Sequence, residues 1–247
     1  MISKSGFRFD EHGKLTVIHL PEVNEFLDGD LSTSSSLFEA MEEAERNKQT
    51  VLWLDVPPDH CSPAVVDEYW DRTSKDTYCG SHTWRYRDAV PLSVSRARTA
   101  ISRLLKYRSE QNALVLISFS GEVDFDLLGL VLCCDYRICT ESTTFVNNSL
   151  HRPTPVGAAT PWHLTHYLGQ GRAIEMLLQD RVFTASEFRD CGLVNQVAKD
   201  DDLLPETMGL ASKLASYPPA AIRALAHATK SLDTSLKAYL EAICPGS

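Results

Sequence analysis

Apolar and polar positions follow one another along the first half of the chain in a pattern that predicts alternating strands and helices. Residues 7–10 and 15–20 predict two strands joined by a short polar turn. Residues 51–56 and 113–119 are apolar at nearly every position, which is typical of strands buried on both faces. Residues 94–107 lie between these runs and have the apolar spacing of a helix. This order predicts an α/β fold with crossover connections.

Beyond residue 160 the pattern becomes almost wholly helical. Start and stop signals predict five helices there, over residues 162–169, 172–179, 185–191, 205–216 and 219–229. We therefore expect a single structural unit with a core over residues 1–160 and a helical, oligomerising region over residues 161–247. Segment 62–88 is polar and aromatic without a clean period, which is typical of a loop over a site or of a partner contact.

Composition excludes several classes of protein. A net charge of −9 over 247 residues argues against nucleic-acid binding, which needs a basic surface. No apolar run reaches the roughly 18 residues of a membrane span, and the first residues lack the apolar core of a signal peptide. The 7 cysteines have no zinc-type spacing, so we expect reduced thiols, no metal and a cytoplasmic protein.

The most informative chemistry lies in residues 113–138. A buried-type strand runs into a turn at Gly121, and an apolar, helix-like segment begins a few residues later. Between them stand three acidic residues, Glu122, Asp124 and Asp126. The first turn of a helix has N–H groups without intrahelical acceptors. This stretch therefore predicts a site for an anion or for a carbonyl oxygen.

Five short motifs follow in a fixed order: CDYRI at 134–138, LGQGRA at 168–173, FTASE at 183–187, CGLVNQV at 191–197 and LASYPPA at 214–220. Over roughly residues 8–235 the chain resembles the crotonase superfamily, the enoyl-CoA hydratase/isomerase-like proteins. The resemblance implies a ββα spiral with a C-terminal helical layer, assembled as a homotrimer or hexamer. It also implies an acyl-CoA or acyl-carrier-protein partner, whose acyl group is a thioester of coenzyme A or phosphopantetheine, and no prosthetic group.

The resemblance further implies an oxyanion hole, in which two backbone N–H groups polarise the thioester carbonyl. The first donor falls on Ala64, in a segment similar to the CAGADL motif of the family. The second falls on Asp126, because the glycine triplet of the family aligns with residues 125–127. Asp126 keeps a backbone N–H, but glycine permits closer ligand approach, and an ionised carboxylate would repel an oxyanion.

Both glutamates that the family uses for hydration are absent. Their positions align with Gly129 and Ser149, and neither residue can serve as the paired acid or base that water addition needs. Asp124, Asp126 and His151 are the candidate catalytic residues that remain. The two aspartates are alternatively N-capping carboxylates, and His151 is alternatively a solvated loop residue.

These observations leave three functional hypotheses. The first is an atypical crotonase-like lyase or isomerase that stabilises an oxyanion during decarboxylation, isomerisation, cyclisation or dehydration, by family analogy in secondary-metabolite biosynthesis. The second is a catalytically inactive crotonase-fold subunit that serves binding or assembly. The third is a thioester hydrolase that uses a histidine or an aspartate. Standard enoyl-CoA hydration is not expected.

Overall fold

The structure is a computed structural model that describes residues 2–4, 7–20, 39, 41–73, 92–152, 157 and 159–229. Its strands are β1 (Ile2–Lys4), β2 (Phe7–His12), β3 (Leu15–His19), β4 (Val51–Asp55), β5 (Leu114–Phe119), β6 (Glu122–Asp124), β7 (Tyr136–Thr140), β8 (Thr144–Val146), β9 (Val182–Thr184) and β10 (Gln196–Ala198). Its helices are α1 (Pro63–Thr73), α2 (Leu92–Gln111), α3 (Phe125–Leu132), α4 (Thr160–Leu168), α5 (Gln170–Leu178), α6 (Ala185–Asp190), α7 (Leu203–Ser216) and α8 (Pro219–Ala228). Residues 41–46 are also helical.

Two sheets organise these elements. The larger sheet has the order β1-β2-β3-β4-β5-β7-β10, antiparallel from β1 to β3 and parallel from β3 onward. The smaller sheet has the order β6-β8-β9. Parallel neighbours need crossover connections, and α2 and α3 supply two of them. The α/β class predicted from the sequence is confirmed.

Strands β4 and β5 of the larger sheet are buried on both faces, which explains why they are apolar at nearly every position. One face carries Leu52 and packs with Ile101 of α2. The other face carries Trp53 and packs with Ala211 of α7 and Ile222 of α8. Because side chains alternate across a strand, a strand between two helical layers must be apolar at nearly every position. The division of the chain at residue 160 stays a prediction.

Two sequence-based expectations need correction. Segment 62–88 is not a loop at its start, because residues 63–73 form α1; residues 74–88 lie outside the described residues. Pro63 fits the first helical position, where no N–H partner is needed, and the Ser62 carbonyl accepts the N–H groups of Val65 and Val66. The region after residue 160 is also less purely helical than predicted, because it contains two strands: β9 belongs to the smaller sheet and β10 belongs to the larger sheet. Their three-residue lengths are too short for a periodic signal.

Within the part of the chain that the structure describes, no helix has both the length and the apolar character needed to cross a membrane.

Candidate functional site

Two helices begin side by side where the parallel strands end. Cys61 and Val123 form a parallel β-bridge, and the Asp124 N–H donates to the Cys61 carbonyl at 2.7 Å. Helix α1 begins at Pro63 and α3 begins at Phe125, each two residues beyond its bridged residue. The first turns of both helices, where N–H groups lack intrahelical acceptors, are therefore neighbours.

A tight contact between the preceding turns fixes this arrangement. The Asp59 carboxylate accepts the Glu122 N–H at 2.8 Å, and the Asp59 N–H donates to the Ser120 carbonyl at 3.2 Å. Gly121 has φ +80°, and a Cβ at this position would stand 2.1 Å from Asp59 Oδ1. Only glycine satisfies both requirements, so the turn that was noted in the sequence sets the spacing between the two helix starts.

The two predicted oxyanion donors occupy equivalent places. Ala64 is the second residue of α1, and Asp126 is the second residue of α3. The Ala64 N–H lies in a first turn, where no intrahelical acceptor exists. The Asp126 N–H, however, donates to Asp124 Oδ1 at 2.8 Å, because Asp124 is the N-cap of α3. The carboxylate of Asp124 therefore already accepts the hydrogen bond of the second predicted donor, the Asp126 N–H.

A buried guanidinium group holds this carboxylate in place. Arg152 Nη1 and Nη2 donate to the two oxygens of Asp124 at 2.7 and 2.8 Å, which is a bidentate pair. Nη1 also donates to Asp126 Oδ2 at 3.0 Å, and Nη2 donates to Asp67 Oδ1 at 2.8 Å. Because Asp67 lies on α1, Arg152 ties α1 to the start of α3. Neither Arg152 nor Asp67 was singled out by the sequence analysis.

Asp126 is the carboxyl group of this cluster that is best suited to proton transfer. Burial raises its pKa above the usual value, and the neighbouring Asp124 carboxylate raises it further. The Gly157 N–H, 3.0 Å from Asp126 Oδ1, and the Arg152 guanidinium act in the opposite direction without cancelling the shift. A raised pKa brings a carboxyl group closer to neutral pH, where general acid–base catalysis is most effective.

Asp124 has a different role, since its side chain is fully buried and both of its oxygens are bonded. This agrees with the capping alternative that the sequence left open for it.

At the two positions that the motif alignment pairs with the family glutamates, the structure shows structural contacts. Gly129 is buried in α3, and its N–H donates to Thr160 Oγ1 at 2.8 Å. Ser149 is buried, and its hydroxyl donates to Asn147 Oδ1 at 2.6 Å. The Asn147 amide in turn donates to carbonyls at the end of α5. Neither position presents a group that transfers protons at neutral pH.

The structure does not bring His151 into the cluster. Its side chain is 68% exposed, and its Nε2 lies 2.6 Å from Asp180 Oδ2 in the segment between α5 and β9. The three carboxylates are bound instead by the adjacent residue, Arg152. The solvated alternative for His151 therefore fits its geometry.

The turn before α1 offers no activated nucleophile. Burial raises the pKa of the Cys61 thiol to about 12, and the Asp124 carboxylate adds to this shift. Burial lowers the pKa of His60 to about 4. Both side chains are neutral at physiological pH, and an undissociated thiol is a poor nucleophile. Among the residues that the structure describes, no cluster of three or more His, Cys, Asp or Glu could hold a metal ion.

One polar row at the strand ends was missed by the sequence analysis. The register places His19, Asp55 and Ser118 side by side on β3, β4 and β5. His19 Nδ1 donates to Asp55 Oδ2 at 2.7 Å, and the Ser118 hydroxyl donates to Asp55 Oδ1 at 3.0 Å. The hydrogen bond to Asp55 raises the pKa of His19. No local motif marks these residues, because only the strand register brings them together.

Comparison with known proteins identifies the scaffold on which this cluster is built. A family model described as enoyl-CoA hydratase/isomerase matches residues 109–243, which is more than half of the chain. The chain belongs to the enoyl-CoA hydratase/isomerase family. The resemblance predicted from the motifs is thereby confirmed.

Relatives within the family show how far the similarity extends. A protein named "Probable enoyl-CoA hydratase" from Rhizobium meliloti (strain 1021) is 32% identical over 108 residues, 43% of this chain and 42% of the relative. A 4-chlorobenzoyl coenzyme A dehalogenase from Arthrobacter sp is 32% identical over 91 residues, 37% of this chain and 33% of the relative. The chain thus matches less than two thirds of the length of these relatives.

Solved structures of the family confirm the crotonase-like fold. The crystal structure of enoyl-CoA hydratase from Bacillus halodurans superposes with a TM-score of 0.74 at 17% identity, covering 97% of this chain and 92% of that one. Identity at this level shows the fold alone. The family fold is therefore present, whereas the chemistry must be argued from the cluster itself.

Proposed function

We propose that the protein transfers a proton at the carbon next to the carbonyl of an acyl thioester. Asp126 is the acid–base group, and the Ala64 N–H is the oxyanion donor. The observation that carries the proposal is the desolvated Asp126 carboxyl group at the start of α3, beside the turn that bears Ala64. The acyl group is carried on coenzyme A or on the phosphopantetheine of a carrier protein.

Charge development explains why these two groups suffice for such a step. Removing the proton moves an electron pair onto the thioester oxygen, where an aimed N–H donor stabilises the enolate. Asp126 holds the proton and returns it to carbon. The partly positive N-terminus of α3 adds to the stabilisation, since anions are favoured at helix N-termini. Isomerisation, cyclisation and decarboxylation of acyl thioesters all include an enolate of this kind, and no prosthetic group is required.

Hydration needs more than this cluster supplies. Addition of water across a double bond requires one group to activate water and another to protonate carbon. The two aligned positions carry Gly129 and Ser149, whose contacts are structural. We therefore propose a non-hydratase member of the family, of the lyase or isomerase type.

The proposal is tested with the wild-type protein and acetyl-CoA. Isothermal titration calorimetry is expected to show binding, and deuterium is expected to enter the acetyl methyl group in D₂O, detected by mass spectrometry. General acid–base catalysis supplies roughly 10²–10⁴-fold, so exchange should exceed the buffer rate by at least about 10²-fold. Crotonyl-CoA is the matched control and should not be hydrated. Absence of binding, or hydration of crotonyl-CoA, would contradict the proposal.

One observation favours a second hypothesis, a non-catalytic binding or assembly subunit. Asp124 already accepts the Asp126 N–H, so the cluster lacks the second donor of a complete oxyanion hole. Binding of acetyl-CoA without any deuterium exchange would favour this hypothesis over the enzyme.

We also propose a homotrimer or a dimer of trimers, in a reducing cytoplasmic setting that suits the free thiols of the chain. Support for assembly comes from the exposed apolar side chains of Ile174 and Leu178, which share one face of α5. Light scattering should give three or six times the 27.5 kDa chain mass. Leu178→Glu is expected to lower that mass, whereas Leu204→Glu on α7 is the control at another exposed leucine; equal effects of both would contradict this interface.

A further inference from the structure

The outer edge of the Arg152 guanidinium faces an exchangeable carboxylate. Nε and Nη2 donate to the same oxygen, Asp67 Oδ1, at 3.2 and 2.8 Å. The Asp67 side chain is 59% exposed, whereas the Arg152 side chain is 7% exposed. The inner edge differs, because both oxygens of the fully buried Asp124 are engaged there. Only the outer edge can therefore change partner at small cost.

The hydrogen-bond geometry between Asp67 and this edge is not the one that arginine favours. Two N–H donors converge on one of its oxygens, whereas a free carboxylate can give each donor its own oxygen in the parallel, bidentate geometry that arginine favours. Water also competes for the exposed Asp67 carboxylate, which weakens its ion pair with Arg152. When Asp67 swings into water, it leaves a buried, oriented guanidinium edge.

The position of this edge relates it to the thioester site. Ala64 and Asp67 are three residues apart on α1 and therefore share one face. Their separation along the helix axis is about 4.5 Å, and the side chain of Asp67 leans back toward the turn that carries Ala64. Since a C–C bond is about 1.5 Å long, two or three such bonds cover a length similar to this axial separation, which favours one or two methylene groups between the thioester carbonyl and the carboxylate.

We propose that Arg152 binds the free carboxylate of a short dicarboxylic acyl thioester, of the malonyl or succinyl type. Asp67 holds the place of this carboxylate while the site is empty. The inference rests on the proposed thioester function and names its substrate class. Arg152 then has two tasks: its inner edge fixes Asp124 and Asp126, and its outer edge selects the acyl group.

The experiment compares the binding of acetyl-, malonyl- and succinyl-CoA by calorimetry at one ionic strength. The tighter dicarboxylic ester is expected to bind at least 10-fold better than acetyl-CoA, since a bidentate, charge-assisted contact is gained. Asp67→Asn should increase this ratio, because the internal competitor is weakened. Arg152→Lys keeps the charge and loses the fork, so the ratio should fall toward one.

Glu68→Gln is the matched control, because it removes one exposed negative charge from the neighbouring position of α1. It should shift the affinities of all three esters alike and leave their ratio unchanged. An equal ratio for Asp67→Asn and Glu68→Gln would overturn the inference. Equal binding of all three esters to the wild type would also overturn the inference, although the proposed function would then stand. Failure of every ester to bind would overturn both this inference and the proposed function. If Arg152→Lys does not fold, Asp67→Asn still tests the inference.

Discussion

Replacing Arg152 with methionine is expected to lower the free energy of unfolding by about 3–5 kcal/mol at neutral pH. The side chains of Asp124 and Asp126 are 0% and 9% exposed, and they lose the cation that they share. A buried charge without a partner is costly, and water has little access to these two carboxyl groups to replace the three hydrogen bonds that Arg152 donates to them. Urea unfolding monitored by circular dichroism measures the change.

The loss should shrink at about pH 4. Without Arg152, Asp126 loses a cation that opposes its raised pKa, so its folded-state pKa lies still further above the unfolded reference near 3.9. Such groups cost stability above their folded pKa and cost nothing below the unfolded pKa, because protonation removes the buried charge. Arg172→Met is the control, since its partner Glu175 and Arg172 itself are both exposed; a change within about 0.5 kcal/mol is expected. Equal losses at both sites would contradict a structural role for the buried cluster.

Asp126→Asn is expected to slow deuterium exchange into acetyl-CoA by roughly 10²–10⁴-fold, the usual contribution of a positioned acid–base group. Acetyl-CoA binding should change little, because asparagine retains the shape of the side chain and an oxygen for the Gly157 N–H. The exchange rate of the wild type should rise as pH rises through the pKa of Asp126, which lies above its usual value, because the ionised form removes the proton.

Glu122→Gln is the matched control for this variant, because Glu122 is the exposed acid of the same stretch. It should leave the exchange rate unchanged. Undiminished exchange in Asp126→Asn, combined with a loss in His151→Ala, would move the acid–base role to His151 and contradict our assignment.

The sequence predicted the parts of the site that depend on local order. The apolar runs around Leu52 and Val115 marked central strands, since a strand covered on both faces must be apolar throughout. Motif spacing assigned the two oxyanion donors to Ala64 and Asp126; these roles stay predictions, while the structure shows both residues at the second positions of adjacent helices. Gly121 was recognisable as a turn, because few residues other than glycine adopt its backbone conformation.

The parts that could not be predicted depend on contacts between distant segments. Arg152 and Asp67 are 85 residues apart, and no periodicity reports which way either side chain points. His151 and Arg152 are adjacent, yet one faces Asp180 and the other enters the cluster. The row of His19 and Asp55 likewise requires the strand register. Such alignments follow from tertiary packing, which a single sequence does not encode in local patterns.

The N-cap of α3 has a consequence for how this scaffold could change activity. Asp124 competes for the Asp126 N–H as a tethered ligand, and short tethers give effective concentrations in the millimolar range or above. A thioester present at a lower concentration does not displace the Asp124 carboxylate from this N–H through mass action alone. Restoring the missing carboxylates by Gly129→Glu and Ser149→Glu would therefore not restore a hydratase. The Asp126 N–H would first have to be released from Asp124, so a hydratase activity would also require a substitution at residue 124.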